Sequence, residues 1–247
     1  MKTILITGAS RGIGAATALL AAERGFSVAV NYNKSKKDAD KVVEAIRQKG
    51  GMAQAFQADV SKEEEIVRLF EEVDSTFGRL TSLVNNAGIL ACQSRLEDIT
   101  YQRLQRIFEA NTLSTFLCCR EAIKRMSPKY GGNGGTIVNV SSIASRTGAP
   151  FEYIDYAASK GAVDSLTIGL AKELADENIR VNAVRPAFIH TDIHASGGEP
   201  NRIERIKETI PLKRGGLPGE AAEAILWLAM EQSSYSTGIF IDVTGGR

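Results

Sequence analysis

Tyr156 and Lys160 stand four residues apart in Tyr156-Ala157-Ala158-Ser159-Lys160, in a run that reads as the start of a helix. Residues at i and i+4 share one helix face, so the spacing puts a phenol within reach of an ammonium. A free phenol ionises near pH 10, and each unit of depression requires about 1.4 kcal/mol of preferential support for the phenolate. A neighbouring cation supplies that support, and the pair can then give and take a proton. Ser142 precedes the pair, closing the apolar run Ile137-Val138-Asn139-Val140-Ser141-Ser142. A strand-end hydroxyl can face a cleft and orient a carbonyl; the plain alternative is that Ser141 and Ser142 only bond the local backbone.

A second constellation lies near the N-terminus. Ile4-Leu5-Ile6 leads into Thr7-Gly8-Ala9-Ser10-Arg11-Gly12-Ile13-Gly14 and then into helix-forming alanines and leucines. That order is strand, glycine turn, helix. Glycines release the backbone where a helix N-terminus offers unpaired N–H groups and partial positive charge, a suitable seat for the diphosphate of a dinucleotide. The spacing of Gly8, Gly12 and Gly14 is a variant of the common dinucleotide fingerprint, and the flanking strand and helix support it. A dinucleotide turn, a hydroxyl to orient a carbonyl and a phenol to move a proton are the parts needed for hydride exchange between nicotinamide and an alcohol or ketone. NAD-binding folds usually place a carboxylate after the second strand for the ribose 2′-hydroxyl, whereas a 2′-phosphate wants a cation there. Here that place reads Asn31-Tyr32-Asn33-Lys34, without an acid. Arg11 and Lys34 are suited to a phosphate, so NADP is expected, with NAD as the alternative and Lys34 as a solvated surface charge.

These residues need a scaffold that brings them to one rim. Strand-like segments are expected at 26–30, 52–57, 80–84, 136–140, 179–184 and 239–243, after the first at 4–6. Helical patterns are expected at 35–50, 101–126, 156–175 and 220–230, and Ser61 with Glu64 fits a capping box opening another helix. Alternation of this kind predicts an α/β fold: a doubly wound, mostly parallel sheet of the Rossmann type, as a single domain over 1–247. Such sheets bind ligands beyond the carboxyl ends of their strands, where the Gly8 loop, Asp59, Asn85, Ser141-Ser142 and Pro186 would converge. The glycine- and proline-bearing segment 187–218 interrupts the rhythm and is expected to form a substrate lid.

The bulk numbers point the same way. A chain of 247 residues with 43% hydrophobic content can build one extensive core. Thirty basic and 29 acidic residues nearly cancel to +1, so neither nucleic acid nor an anionic membrane is expected as a partner, and a small molecule is. Cys92, Cys118 and Cys119 lack metal-ligand or disulfide spacing, which suits a reducing compartment. With no apolar leader and no long apolar span, a cytoplasmic protein is expected. His190 and His194, with Asp192 between them, have helical spacing but lack the supporting glutamate of a zinc motif, so substrate-loop histidines are expected and no metal. Glu152, Asp155, His190, His194 and Arg214 would give the entrance a polarity suited to a hydroxylated substrate, or simply a solvated rim. Helical residues 112–126 and 157–175 carry more apolar surface than one sheet contact needs, as a subunit interface would, or as plain core helices do.

Taken in order, Thr7-Gly8-x-x-x-Gly12-x-Gly14, Asn85-Asn86-Ala87-Gly88, Asn111, Ser142 and Tyr156-x-x-x-Lys160 resemble the motifs of the short-chain dehydrogenase/reductase family over essentially the whole chain. The general look is similar to 3-oxoacyl-carrier-protein reductases and glucose 1-dehydrogenases. The resemblance implies that Tyr156 is the proton donor or acceptor and that Ser142, rather than Ser141, polarises the substrate oxygen. It also implies that Lys160 lowers the Tyr156 pKa and holds the nicotinamide ribose, and that Asn111 supports a proton-relay water. It carries cofactor contacts onto Gly8, Ser10, Arg11, Gly12, Ile13 and Gly14, onto Asn31, Asn33 and Lys34, and onto Asp59 and Val60 at the adenine. Asn86, Ala87 and Gly88 resemble the turn along the cofactor, and Pro186, Ile189 and Thr191 belong to the segment meeting the carboxamide. Three departures stand out: Ala187 replaces a usual glycine, Thr81 stands where relatives often carry aspartate, and the stretch between Ser142 and Tyr156 is slightly long. The implied activity is an NADP-dependent interconversion of a small carbonyl and a secondary alcohol by a homodimer or homotetramer. Sugar or polyol oxidation, oxoacyl reduction and a non-catalytic NADP(H)-sensing regulator are the alternatives.

Overall fold

A computed structural model describes residues 2–247. Seven strands form one sheet in the order β3-β2-β1-β4-β5-β6-β7: β1 Lys2–Ile6, β2 Phe26–Tyr32, β3 Met52–Gln57, β4 Ser82–Asn85, β5 Gly135–Val140, β6 Ile179–Pro186 and β7 Phe240–Val243. Every neighbouring pair is parallel, the last included, so the expectation of a mostly parallel sheet is met in full. Side chains alternate across each strand, and the sheet is buried on both faces. Ile4, Ile6, Val28, Val30 and Val84 face one core; Leu5, Ala29, Leu83 and Ile137 face the other.

The first core is covered by α1 Gly12–Glu23, α2 Lys36–Gln48 and α10 Pro218–Ala229. The second is covered by α3 Glu63–Phe77, α5 Ser114–Met126 and α7 Ile154–Glu173. This is the doubly wound Rossmann arrangement. Its strand order reverses between β1 and β4, which opens a crevice at their carboxyl ends. Thr7 closes the base of that crevice, its hydroxyl accepting from the backbone N–H groups of Asn86 and Ala87, both at 3.0 Å.

Three local expectations need correction. The helical stretch at 101–126 is two helices, α4 Tyr101–Phe108 and α5, joined by a π-helical turn over Glu109–Leu113 that holds Asn111. The capping box at Ser61 and Glu64 does not form. Instead the Glu65 carboxylate accepts from the Asp59 N–H at 2.8 Å, and the Asp59 carboxylate accepts from the Ser61 N–H and hydroxyl. The chain turns before the helix, so Asp59 meets the donors first. The fourth strand begins at Ser82 rather than Leu80 because Thr81 bonds both the N–H and the carbonyl of Thr3 through its hydroxyl. Thr81 therefore has a structural place, at the end of the sheet remote from the crevice.

Between β5 and α7 lies the short helix α6 Ala144–Thr147; the 187–218 segment contains α8 Ile193–Ser196 and α9 Arg202–Ile206. Among the described residues no helix is long and apolar enough to cross a membrane.

Candidate active site

The glycine turn is built for close approach. Gly8 and Gly12 have φ of +63° and +56°, left-handed values that glycine alone adopts at little cost. A Cβ on Gly14 would lie 2.5 Å from the Asn86 Nδ2 and 2.6 Å from the Gly8 carbonyl oxygen. One on Gly12 would lie 3.1 Å from Thr191 across the cleft. The N-terminus of α1 has no side-chain cap and no acid in its first turn, so its positive end is left for an anion. Asn86 holds the turn, its amide donating to the Thr7 and Gly8 carbonyls at 2.9 and 3.0 Å.

Asn31 lines the cleft, and its side chain braces the scaffold. Its side chain is buried at 1% exposure and consumed within the protein: Oδ1 accepts from the Gly8 N–H at 3.1 Å, and Nδ2 donates to the Ala58 carbonyl at 3.1 Å. It braces the glycine turn against the end of β3. Asn33 and Lys34 are exposed beyond β2, on the same cleft as Arg11. Asp59 lines this end too. Burial pushes its carboxyl up, but hydrogen bonds from Ser61 and Asn33 and the Lys62 charge together hold it below the ordinary value.

At the other end of the same cleft, of about 890 Å³, lie Ser142, Tyr156 and Lys160. Burial pushes the Tyr156 phenol above its ordinary pKa, and the nearby Ser142 hydroxyl pulls it partly back. The Lys160 ammonium sits 5.7 Å from the centre of the Tyr156 ring and donates to the Val140 carbonyl at 2.8 Å. Burial pushes Lys160 down to about 8, against the pull of the Asp164 carboxylate one helical turn on. The expected depression of Tyr156 by Lys160 is thus not what the protein's own groups produce. Desolvation sets the direction at the phenol, and the ammonium's hydrogen bond runs to the Val140 carbonyl. The two serines differ in their partners: the Ser141 hydroxyl donates to the Lys160 carbonyl at 3.3 Å, while the Ser142 hydroxyl accepts from the Ala144 N–H at 3.1 Å.

Asn111 is fully buried in its π-turn. Its Oδ1 accepts from the Ile89 N–H at 2.7 Å and its Nδ2 donates to the Ile89 carbonyl at 3.0 Å. Gly88 fits between: a Cβ there would lie 3.3 Å from Asn111 and 3.6 Å from the Lys160 nitrogen. Ser10, Ile13, Val60, Ala87, Pro186, Ile189 and Thr191 also line the cleft. Ala187, in place of a glycine, carries no strain; its φ is not positive and its N–H reaches the Val243 carbonyl at 3.0 Å.

Several participants escaped sequence reasoning. Arg103 of α4 grips Asp155, the residue before Tyr156, with bonds of 2.7 and 3.2 Å, and also donates to the Cys92 carbonyl at 2.7 Å. Asp155 in turn accepts from the Tyr156 N–H at 2.9 Å. Glu152 pairs with Arg202 and Arg205, and Glu199 pairs with both arginines, which fastens the loop before α7 to α9. Asp192 stands 3.9 Å from Arg11. Only charge type was visible in the sequence; the partners of each pair lie in different elements or loops. The long stretch before Tyr156 does take unusual conformations, with φ of +43° at Ala149 and +65° at Phe151. His190 is exposed and His194 is buried on the Ile189 carbonyl. Among the described residues no three His, Cys, Asp or Glu side chains gather as metal ligands.

A family model described as enoyl-(acyl carrier protein) reductase matches residues 8–247. The chain is 54% identical over 247 residues to an uncharacterized oxidoreductase, YgfF, of Escherichia coli, covering all of both chains. It is 39% identical over 245 residues to the 3-oxoacyl-[acyl-carrier-protein] reductase FabG of Staphylococcus epidermidis, covering 99% of this chain and 98% of that one. The solved structure of a dehydrogenase/reductase from Sinorhizobium meliloti superposes with a TM-score of 0.92 at 33% identity, covering 99% of this chain and 94% of that one.

Proposed function

The chain belongs to the short-chain dehydrogenase/reductase family, NAD(P)-dependent dehydrogenases and reductases, and we propose that it interconverts a small carbonyl compound and a secondary alcohol with NADP. The observation that carries this reading is the placement of Ser142, Tyr156 and Lys160 together in the cleft whose far end is the glycine turn, with the Lys160 ammonium 5.7 Å from the centre of the Tyr156 ring. Two hydroxyl groups at one end of the cleft suit a carbonyl oxygen that takes up a proton as hydride reaches its carbon.

The residues present fit the cofactor. Gly8, Gly12, Gly14 and the start of α1 would hold the diphosphate, Asp59 and Val60 the adenine, and Asn86 to Gly88 the length between. Lys160 would hold the nicotinamide ribose, and Pro186, Ile189 and Thr191 the carboxamide. When bound, the nicotinamide supplies hydride to the carbonyl carbon or accepts it from the carbinol. In reduction Ser142 donates a hydrogen bond to the substrate oxygen and Tyr156 transfers its proton to that oxygen. The Lys160 ammonium offsets the charge left on the phenolate, and Asn111 keeps the 88–89 turn in place and supports the relay of a replacement proton.

Arg11, Asn33 and Lys34 support NADP over NAD, with no carboxylate at the end of β2. Reduction rates with a panel of aldoses, diketones and oxoacyl thioesters, and oxidation rates with polyols, test the reading with both cofactors. We expect kcat/KM for NADPH to exceed that for NADH by about tenfold or more, since a charge-assisted bond contributes about 1.5–3 kcal/mol. Lys34→Ala should narrow the gap. A preference for NADH refutes the assignment, and tight NADPH binding without turnover across the panel favours a sensing regulator.

The 187–218 segment is read as the substrate lid, closing on the cleft through α8. The adjacent thiols of Cys118 and Cys119, free and buried, suit the cytoplasm. Exposed Leu113 at the end of the π-helical turn, Phe116 on α5 and Ile168 on α7 suit a homodimer or homotetramer.

A further inference from the structure

Lys160 carries its charge in a costly place. The residue is 4% exposed, and among the described residues its ammonium makes no ion pair; its hydrogen bond runs to the Val140 carbonyl at 2.8 Å. A buried ammonium without a counter-charge tends to lose its proton, and a neutral amine cannot offset a phenolate. The compensation has to come from a carboxylate further off.

Asp164 stands where such a carboxylate is needed. It follows Lys160 by four residues in α7, so the two side chains leave one helix face a turn apart. Both reach the same part of the sheet. Lys160 meets the carbonyl of Val140 in β5, and Asp164 meets Arg185 of β6, the residue after Val184, which is the register partner of Val140. Arg185 holds Oδ2 of Asp164 through Nε at 3.0 Å and Nη2 at 2.8 Å. The other oxygen, Oδ1, is buried without a hydrogen-bond partner. In such surroundings the field of a carboxylate reaches further than it would in water.

Arg185 does not take up that charge alone. Its guanidinium lies over the Phe240 ring at 3.8 Å and is shared with Asp242 of β7 at 3.6 Å, while Asp242 meets Arg146 of α6 at 2.8 Å. The remaining charges on the elements packed against α7 are engaged or exposed. Arg103 of α4 is held by Asp155, Arg106 and Tyr101 of α4 are exposed, and Glu109 of the π-turn accepts from Gln105 at 2.7 Å. Arg180, at the start of β6, turns to the Leu228 carbonyl at the end of α10. Asp164 is the charge that pulls Lys160 up against its burial.

We propose that Asp164 is a positioning residue for the reaction, the buried counter-charge that keeps the Lys160 side chain an ammonium while Tyr156 gives up its proton. The inference rests on the carbonyl–alcohol reading given above.

Asp164→Asn tests it, since the amide keeps the shape and one oxygen for Arg185 but drops the charge. Two readouts are taken. The first is the titration of Lys160 in the cofactor-free protein, followed by NMR with lysine labelled with carbon-13 at Cε, the signal being identified by its absence from Lys160→Met. The second is the pH profile of kcat/KM for 2,3-butanedione with NADPH. From a wild-type midpoint of about 8, Asp164→Asn should move both readouts down by about half a pH unit or more, because losing a nearby carboxylate disfavours the ammonium. Asp164→Glu, which keeps the charge, should stay close to the wild type. If Asp164→Asn does not fold, Asp164→Asn with Arg185→Met removes both members of the buried pair, a change tolerated better than a lone buried charge, and should move the midpoint the same way. An unmoved NMR midpoint overturns the inference and leaves Asp164 as a brace between α7 and the sheet. A midpoint that moves while the rate profile does not overturns it as well, and leaves the carbonyl–alcohol reading standing. If neither 2,3-butanedione nor the rest of the carbonyl panel is consumed, that reading fails and the positioning role with it, whatever Lys160 does in the cofactor-free protein.

Discussion

Tyr156 and Ser142 line one end of the cleft, while the Lys160 ammonium is turned to the Val140 carbonyl beside them. If the phenol is the proton donor, Tyr156→Phe should lower kcat by about 10²–10⁴-fold with NADPH affinity nearly unchanged, measured by absorbance and by fluorescence titration. Retained turnover would remove the role. Lys160 gives a pH dependence whose sign is fixed by its depressed pKa of about 8. Below that value the side chain is an ammonium and offsets the phenolate formed in reduction; above it the charge is gone. We expect kcat/KM for the carbonyl substrate to fall as pH rises through about 8, and Lys160→Met to lack that limb. Ser142, Tyr156 and Lys160 were legible because one strand end and one helical turn fix their relation. Gly8 and Gly12 were legible because few residue types tolerate their backbone angles. Asp155 was visible, but its partner Arg103 was not, since contact across 52 residues depends on which helices meet.

The start of α7 is the element on which the proposed chemistry turns, and the Arg103–Asp155 pair fixes it from α4. Arg103→Met should leave a buried carboxylate unpaired and cost about 3–5 kcal/mol in urea denaturation. Adding Asp155→Asn should recover much of that loss. Equal stability of the single variant and the wild type would show the pair to be idle. Periodicity located the elements because sheet and helix repeats differ, yet it ran through the π-turn at Glu109–Leu113 as though it were ordinary helix. One extra residue per turn barely disturbs an apolar pattern, although it decides where the Asn111 side chain points. The capping box failed for a related reason. Spacing alone offered Ser61 and Glu64, whereas the bend at Asp59 gave its own carboxylate and Glu65 the first claim on the free N–H groups.

Across the whole molecule, alternation of strand and helix made the parallel sheet legible, and the reversal between β1 and β4 follows from helices covering both faces. What alternation does not record is the outward surface. Phe116 and Ile168 remain 45% and 44% exposed on two helices already packed against the second core. If copies of the chain associate there, Phe116→Glu combined with Ile168→Glu should lower the mass found by light scattering, with cofactor binding retained. An unchanged mass would put the interface elsewhere. The ion pairs between Glu152 and α9 have a broader consequence. Glu152 stands just ahead of the phenol, and Arg202 belongs to the 187–218 segment, so the ion pair ties the proposed lid, as a wall of the site, to the stretch that carries the reacting group. Recutting that wall to admit a different guest would also tug on the hand that passes the proton.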